Sequence, residues 1–231
     1  MGGWAAGRIL HLRQIDDGKA FEHLEFRIQK VLPLSWLWNI SHLVRTTPLP
    51  LRDGGMVLPV YFELGAKYPL ALRFDATGEL LGMVRISQRT HLLQPTLLLQ
   101  SPTDWLALMR DSGVEKKIKV AASHDGGRHW QDRPDLPLHN PDSAIAGLTL
   151  APGLMVLAHN PEPDTRAALD LSLSADGLHW TRLHRLAQGT GGAEYSYPAL
   201  AWADGSLWVS YTDQRRSIAW QRLVPSPVSS P

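Results

Sequence analysis

The sequence predicts an all-β fold, a β-propeller, and three observations predict it. Short runs of strand length, apolar throughout or alternating, follow one another along the 231 residues. Each run ends in turn residues such as Asp-Gly, Asp-Ala-Thr-Gly or Ala-Asp-Gly. The turns also recur. Ser123-His-Asp125-Gly-Gly127-Arg-His-Trp130 returns as Ser174-Ala-Asp176-Gly177-Leu-His-Trp180, with the aspartates 51 residues apart. Asp75, in Phe74-Asp-Ala-Thr-Gly78, stands 50 residues before Asp125. A period near 50 with several strands per unit is the pattern of propeller blades, which must stack because none buries both faces alone.

The elements follow in order. Residues 1–40 supply at most two strands, near Gly7–Arg13 and Phe21–Ile28. A first blade runs from about Leu43 to Ile86, with strands at Met56–Tyr61, Leu70–Phe74 and Leu80–Ile86. A second runs from Leu92 to Leu136 and contains Leu93–Leu99 and Ile118–Ser123. Between them, Thr103–Met109 is the best helical candidate of the chain, yet it is apolar enough for a strand. A third blade runs from Ser143 to Leu186, with Leu154–His159 and Leu169–Ser174. The last begins at Tyr195 and ends near Leu223 with three strands, Tyr195–Trp202, Leu207–Thr212 and Ser217–Leu223. A single domain over residues 1–223 is expected, with Val224–Pro231, which holds three prolines, as a tail.

Composition excludes several functions. Lys plus Arg is 23 and Asp plus Glu is 22, so no long-range field calls for nucleic acid or an anionic membrane. No apolar run approaches the roughly 20 residues of a membrane helix. Cysteine is absent, which removes disulfides, thiolate metal sites and thiol nucleophiles together. Met1–Gln14 lacks a signal-peptide pattern, so the cytoplasm is expected unless the native start lies elsewhere. No metal site is expected. His124, His129 and His179 occupy turn positions, and neither His-Glu-x-x-His nor a calcium-loop spacing occurs. No organic cofactor is expected either: Gly189-Thr-Gly-Gly192 leads into a strand, whereas a phosphate loop opens a helix. A Gly-x-Ser-x-Gly elbow is missing. The oligomeric state is left open.

Ser123–Trp130 matches the Asp-box pattern Ser-x-Asp-x-Gly-x-x-Trp, and Ser174–Trp180 is a form one residue shorter. Its role is local: Asp accepts backbone N–H bonds in a hairpin turn, Gly takes the positive φ, and Trp packs between sheets. Larger blocks extend the likeness. They are Leu51-Arg-Asp-Gly-Gly-Met-Val-Leu-Pro-Val-Tyr61, Leu106-Ala-Leu-Met-Arg110 ahead of an Asp box, His159-Asn-Pro161 followed by Arg166, and Glu194-Tyr195-Ser196-Tyr197-Pro198. In this order they resemble the later blades of a six-bladed sialidase-type propeller, the BNR-repeat "predicted neuraminidase" group, over roughly residues 40–223.

The resemblance implies an exo-sialidase acting on a sialoside or a related acidic glycan. A guanidinium clamp would bind the substrate carboxylate, with Arg110 and Arg166 as members and Arg45 facing the funnel. Tyr195 would attack the anomeric carbon, a neutral nucleophile beside that carboxylate, with Tyr197 as the alternative and second substrate contact. The family carries a glutamate on the strand before the second arginine. This sequence has Gln94 there, in Leu92-Leu-Gln94-Pro95, and an amide is no general base. Gln94 is therefore expected to touch substrate, and Glu63 or Glu194 to supply the carboxylate. Upstream of residue 40 nothing resembles the family's first clamp arginine or catalytic aspartate, so the first blades are expected to be lacking. The alternatives are a carbohydrate-binding propeller that has lost catalysis and an enzyme acting on another acidic sugar, such as a uronate-containing polysaccharide.

Overall fold

The computed structural model describes residues 7–15, 25–34 and 40–225, and every regular element among them is a strand. A hairpin of β1 (Leu10–Ile15) and β2 (Glu25–Val31) comes first. Residues 21–24 of the second expected strand and 226–231 of the expected tail lie outside the described residues.

Four sheets follow in chain order. The first contains β3 (His42–Val44), β4 (Leu49–Pro50), β5 (Met56–Phe62), β6 (Tyr68–Phe74) and β7 (Leu80–Arg85). Both β3 and β4 pair with β5, so its edge strand is broken in two. The second orders β8 (Leu92–Leu99), β9 (Trp105–Asp111), β10 (Lys119–Ser123) and β11 (Gln131–Arg133). The third orders β12 (Ala146–Ala151), β13 (Leu154–His159), β14 (Ala168–Ser174) and β15 (Thr181–Gln188). The fourth has three strands, β16 (Tyr195–Ala203), β17 (Ser206–Asp213) and β18 (Ser217–Leu223). All pairings are antiparallel, and the sheets form the four blades of a propeller arrangement. The helical candidate Thr103–Met109 is strand from Trp105 on, within β9. Its residues are apolar on both faces because neighbouring blades cover both.

The core is divided between the blades. Val57, Ala71 and Ile86 of the first pack on Leu97, Ala107 and Met109 of the second. Leu98, Leu108 and Val120 of the second pack on Ile145, Met155 and Leu157 of the third. Leu169 and Leu171 of the third pack on Leu200, Val209 and Tyr211 of the fourth. Ile9, Leu32 and Leu34 around the first hairpin cover the remaining face of blade one. Truncating one of these fully buried leucines to alanine costs about 2–5 kcal/mol.

The Asp boxes staple the outer hairpins. Asp125 Oδ1 accepts the N–H groups of Arg128 and His129 at 3.0 and 2.9 Å. Asp176 Oδ1 accepts those of Leu178 and His179 at 2.9 and 2.8 Å. Such bonds favour the ionised form, and both carboxyls sit well below the ordinary range; burial opposes the shift and is the largest single influence at Asp125. Asp75 repeats the arrangement, accepting from Thr77 and Glu79. Trp130 and Trp180 pack into the interblade cores, as the motif predicts.

Candidate active site

One end of the blades gathers the expected residues. β8 begins there, β5 and β9 finish there, and the chain enters β12, β14 and β16 from that end. The register is interrupted on β8 between Leu93 and Thr96, and on β16 between Ser196 and Ala199. Gln94 and Tyr197 sit in these bulges at φ +51° and +54°. Each precedes a proline, Pro95 and Pro198, on the first strand of its blade. They therefore occupy equivalent positions two blades apart. Asp142, ahead of β12, is also held at φ +51°. Non-glycine residues in this region cost about 1–3 kcal/mol each, and three of them meet here.

Arg110, at the far end of β9, is the hub. Its Nε donates to Asp142 Oδ1 at 2.7 Å and its Nη1 to Gln94 Oε1 at 3.1 Å. Gln94 Nε2 in turn donates to the Tyr61 hydroxyl at 3.4 Å. The Tyr197 phenol also faces Arg110. Burial works against the Arg110 charge, but Asp142 and Tyr197 hold its pKa above the ordinary value. Arg45 lies with its guanidinium 5.5 Å from the centre of the Tyr197 ring. Burial lowers its pKa, partly offset by Tyr197 and Tyr61. Tyr61 is pushed up, first by burial and also by the Glu63 charge, against the pull of Gln94 and Arg110. Burial raises Glu63 as well, against the pull of Lys67 and Arg110.

A second cluster adjoins the first. Arg166 Nη1 pairs with Glu194 Oε1 at 3.0 Å, and Arg215 Nε with Glu194 Oε2 at 2.8 Å. Ser196 Oγ donates to the same carboxylate at 3.0 Å. Burial opposes the charge of Glu194, but these bonds keep its pKa below the ordinary value. Asp142 joins the clusters: its carboxylate takes Arg110 and its carbonyl takes Arg166. Buried asparagines brace the loops. Asn160 Nδ2 donates to the carbonyls of Ala168 and Tyr195 at 2.7 and 2.8 Å, and Asn140 holds Ser143.

The structure thus brings Arg45, Glu63, Gln94, Arg110 and Tyr197 into one neighbourhood, with Arg166 and Glu194 beside it. It does not bring Tyr195 there. The Tyr195 ring packs edge-on against Tyr211, 6.2 Å between centres, within the core shared by blades three and four. Tyr197 keeps 42% of its surface exposed among the arginines. The reason is the bulge, which breaks the strand's alternation between the two tyrosines. Sequence reasoning missed Tyr61, Asp142 and Arg215. Gln94-Pro95 and Tyr197-Pro198 stand 103 residues apart, close to two repeats of the Asp-box period, a spacing that favours Tyr197 over Tyr195. Among the described residues no group of three or more His, Asp or Glu side chains is placed to hold a metal ion.

The fold and the repeat define a class. The sequence model of the BNR repeat-like domain family matches residues 1–209, and the chain belongs to that family. No curated protein matches it in sequence. Among solved structures it is similar to the K499G mutant of NanB sialidase from Streptococcus pneumoniae, with a TM-score of 0.69 at 13% identity over 88% of this chain and 34% of that one. It is similar to Trypanosoma rangeli sialidase in complex with the inhibitor DANA, with a TM-score of 0.68 at 14% identity over 96% and 41%. A Hadza microbial sialidase, Hz136, gives 0.61 at 17% identity over 77% and 36%. These likenesses show the fold, and the chain spans between a third and about two-fifths of the structures it resembles.

Proposed function

We propose that this chain carries the nucleophile and part of the carboxylate clamp of a retaining glycoside hydrolase of the sialidase type, acting on a terminal acidic sugar. One observation carries the reading: Tyr197 is exposed, lies in a positive-φ bulge, and has its phenol between Arg45 and Arg110. In this reading the substrate carboxylate is bound by Arg45 and Arg110. Tyr197 Oη attacks the anomeric carbon as the glycosidic C–O bond breaks, the aglycone oxygen taking a proton from solvent, and water later hydrolyses the tyrosyl intermediate and returns the phenol. The phenol proton passes to Glu63 by way of the Tyr61 hydroxyl; burial has raised the Glu63 carboxyl towards the range a general base needs. Arg166 and Glu194 position the entry to β16 from outside the reacting atoms. The similar Trypanosoma rangeli sialidase was captured with DANA, which makes that inhibitor the natural probe.

A second reading, a binding propeller without catalysis, is favoured by Gln94: the side chain linking Tyr61 to Arg110 is an amide. Hydrolysis of a fluorogenic α-sialoside separates the readings. Release by the chain and by Tyr195→Phe, but not by Tyr197→Phe, supports the enzyme. No release from a cooperatively folded chain that binds DANA through Arg110 supports the binder. No DANA binding moves the substrate to another acidic sugar.

A further inference from the structure

The opposite end of the blades carries a cavity, well apart from the arginine cluster. Antiparallel register fixes the distance between the ends: β9 runs from Trp105, opposite Leu99, to Asp111, opposite Leu92. Six steps of about 3.3 Å put roughly 20 Å between Trp105 and the Arg110 end. A cavity of about 430 Å³ opens at the Trp105 end, against turns of the first three blades. Leu51, Leu99, Pro102 and Trp105 make it largely apolar, and three arginines line it, Arg52, Arg73 and Arg128.

Carbonyls, not carboxylates, hold the arginines nearest the indole. Arg73 donates to the Gly126 carbonyl and lies 5.8 Å from the Trp105 ring centre. Arg128 donates to the Asp125 carbonyl at 2.9 Å. Among the described residues neither forms an ion pair; burial first, then the Arg128 charge, lowers the Arg73 pKa, against the pull of Asp53 and Asp125. Asp53 is the single carboxylate of the lining, and its Oδ1 already accepts the Gly55 N–H at 3.0 Å. Three guanidiniums over an apolar pocket with one carboxylate leave an excess of positive charge.

The Asp box of blade two builds this wall. Gly127 has φ +80°, and a Cβ on it would lie 2.6 Å from the indole, so only glycine lets the turn close onto Trp105. That closure carries the Gly126 carbonyl to Arg73. Gln100 Nε2 donates to the Asp176 carbonyl at 2.7 Å and ties the next Asp box to the same rim.

We infer that this cavity binds a small aromatic carboxylate, with its ring against the apolar walls and its carboxylate bridging Arg73 and Arg128. The guanidinium forks match a carboxylate, and an apolar ring would cover the walls made by Leu51, Leu99 and Pro102. Inorganic phosphate would leave the apolar walls unfilled. A neutral sugar would find the Trp105 face already covered by Arg73.

Calorimetric titration of the full chain with 2-naphthoate tests this, alongside the neutral 2-naphthylmethanol and inorganic phosphate. One-to-one binding of naphthoate is expected, at least tenfold tighter than the alcohol or phosphate. Arg128→Gln is expected to weaken it at least tenfold, and saturating DANA to leave it unchanged. Arg128 is exposed, so this substitution leaves the core intact. The inference is overturned by absent binding, by equal affinity for the alcohol or phosphate, by indifference to Arg128→Gln, or by displacement with DANA.

Discussion

Arg45, in the first blade, donates a hydrogen bond of 2.8 Å to the carbonyl of Pro198, in the fourth. Its neighbour Thr46 donates to the carbonyl of Pro95, the equivalent proline of the second blade. Two adjacent residues in the break between β3 and β4 thus hold the bulges that aim Gln94 and Tyr197. Replacing Arg45 with alanine removes a charged hydrogen bond and the cation over Tyr197 together. A stability loss of about 2 kcal/mol is expected in chemical denaturation. DANA affinity should fall at least tenfold in titration, since one arm of the clamp is gone.

Glu63→Gln separates binding from chemistry. Turnover of an α-sialoside should drop by roughly 10²–10⁴-fold, the usual worth of a positioned general base. DANA binding should stay within threefold of the parent. The Glu63 pKa is raised, so kcat/KM in the parent should rise with pH through a limb above the ordinary carboxylate range. The residual activity of Glu63→Gln should lack that limb.

Two glycines with similar φ should respond differently to alanine. Gly65, at φ +78°, has nothing within 4 Å of a built Cβ, so Gly65→Ala should cost only the backbone strain, about 1–2 kcal/mol. Gly127→Ala adds a collision with the buried Trp105 ring and should cost about 2–4 kcal/mol. Urea denaturation of the pair isolates the packing contribution.

His159 makes stability depend on acid. It is buried, and burial lowers its pKa to about 4, against about 6.5 in the unfolded chain. Between these values the unfolded state binds the extra proton. This stability is complete above pH 6.5 and is lost as pH falls towards 4, by up to about 3 kcal/mol. Denaturation midpoints across that window should show the loss. His159→Gln, which keeps an amide near Ser172 Oγ but takes no proton, should flatten it.

Blade boundaries were legible because their signals are local. The Asp-box turns at Asp125 and Asp176, and the lesser turn at Asp75, fix where hairpins close, and the strands fall between them. Arg110 and Arg166 were singled out from blocks just as local, yet local signals did not show that Arg166 pairs with Glu194. The choice between Tyr195 and Tyr197 was not, since strict alternation puts both on one face. Only the bulge after Ser196 separates them, and that bulge holds Pro198, whose carbonyl is fixed by Arg45 from the first blade. Thr103–Met109 was ambiguous because a strand covered on both faces loses its period-two signature. Asp142 was missed because a short loop before β12 carries no periodic signal.

Each apolar cluster is shared by successive layers only, and this organises failure as well as stability. In such a one-dimensional stack, loosening at one lamination stops at the next, and the far blades keep their own cohesion. The site does not share that insulation, because it draws Arg45, Arg110, Asp142 and Tyr197 from four different layers. It works as a coincidence detector, aligned only while every lamination beneath it is closed. Slippage anywhere along the row would therefore silence the site well before the chain as a whole came apart.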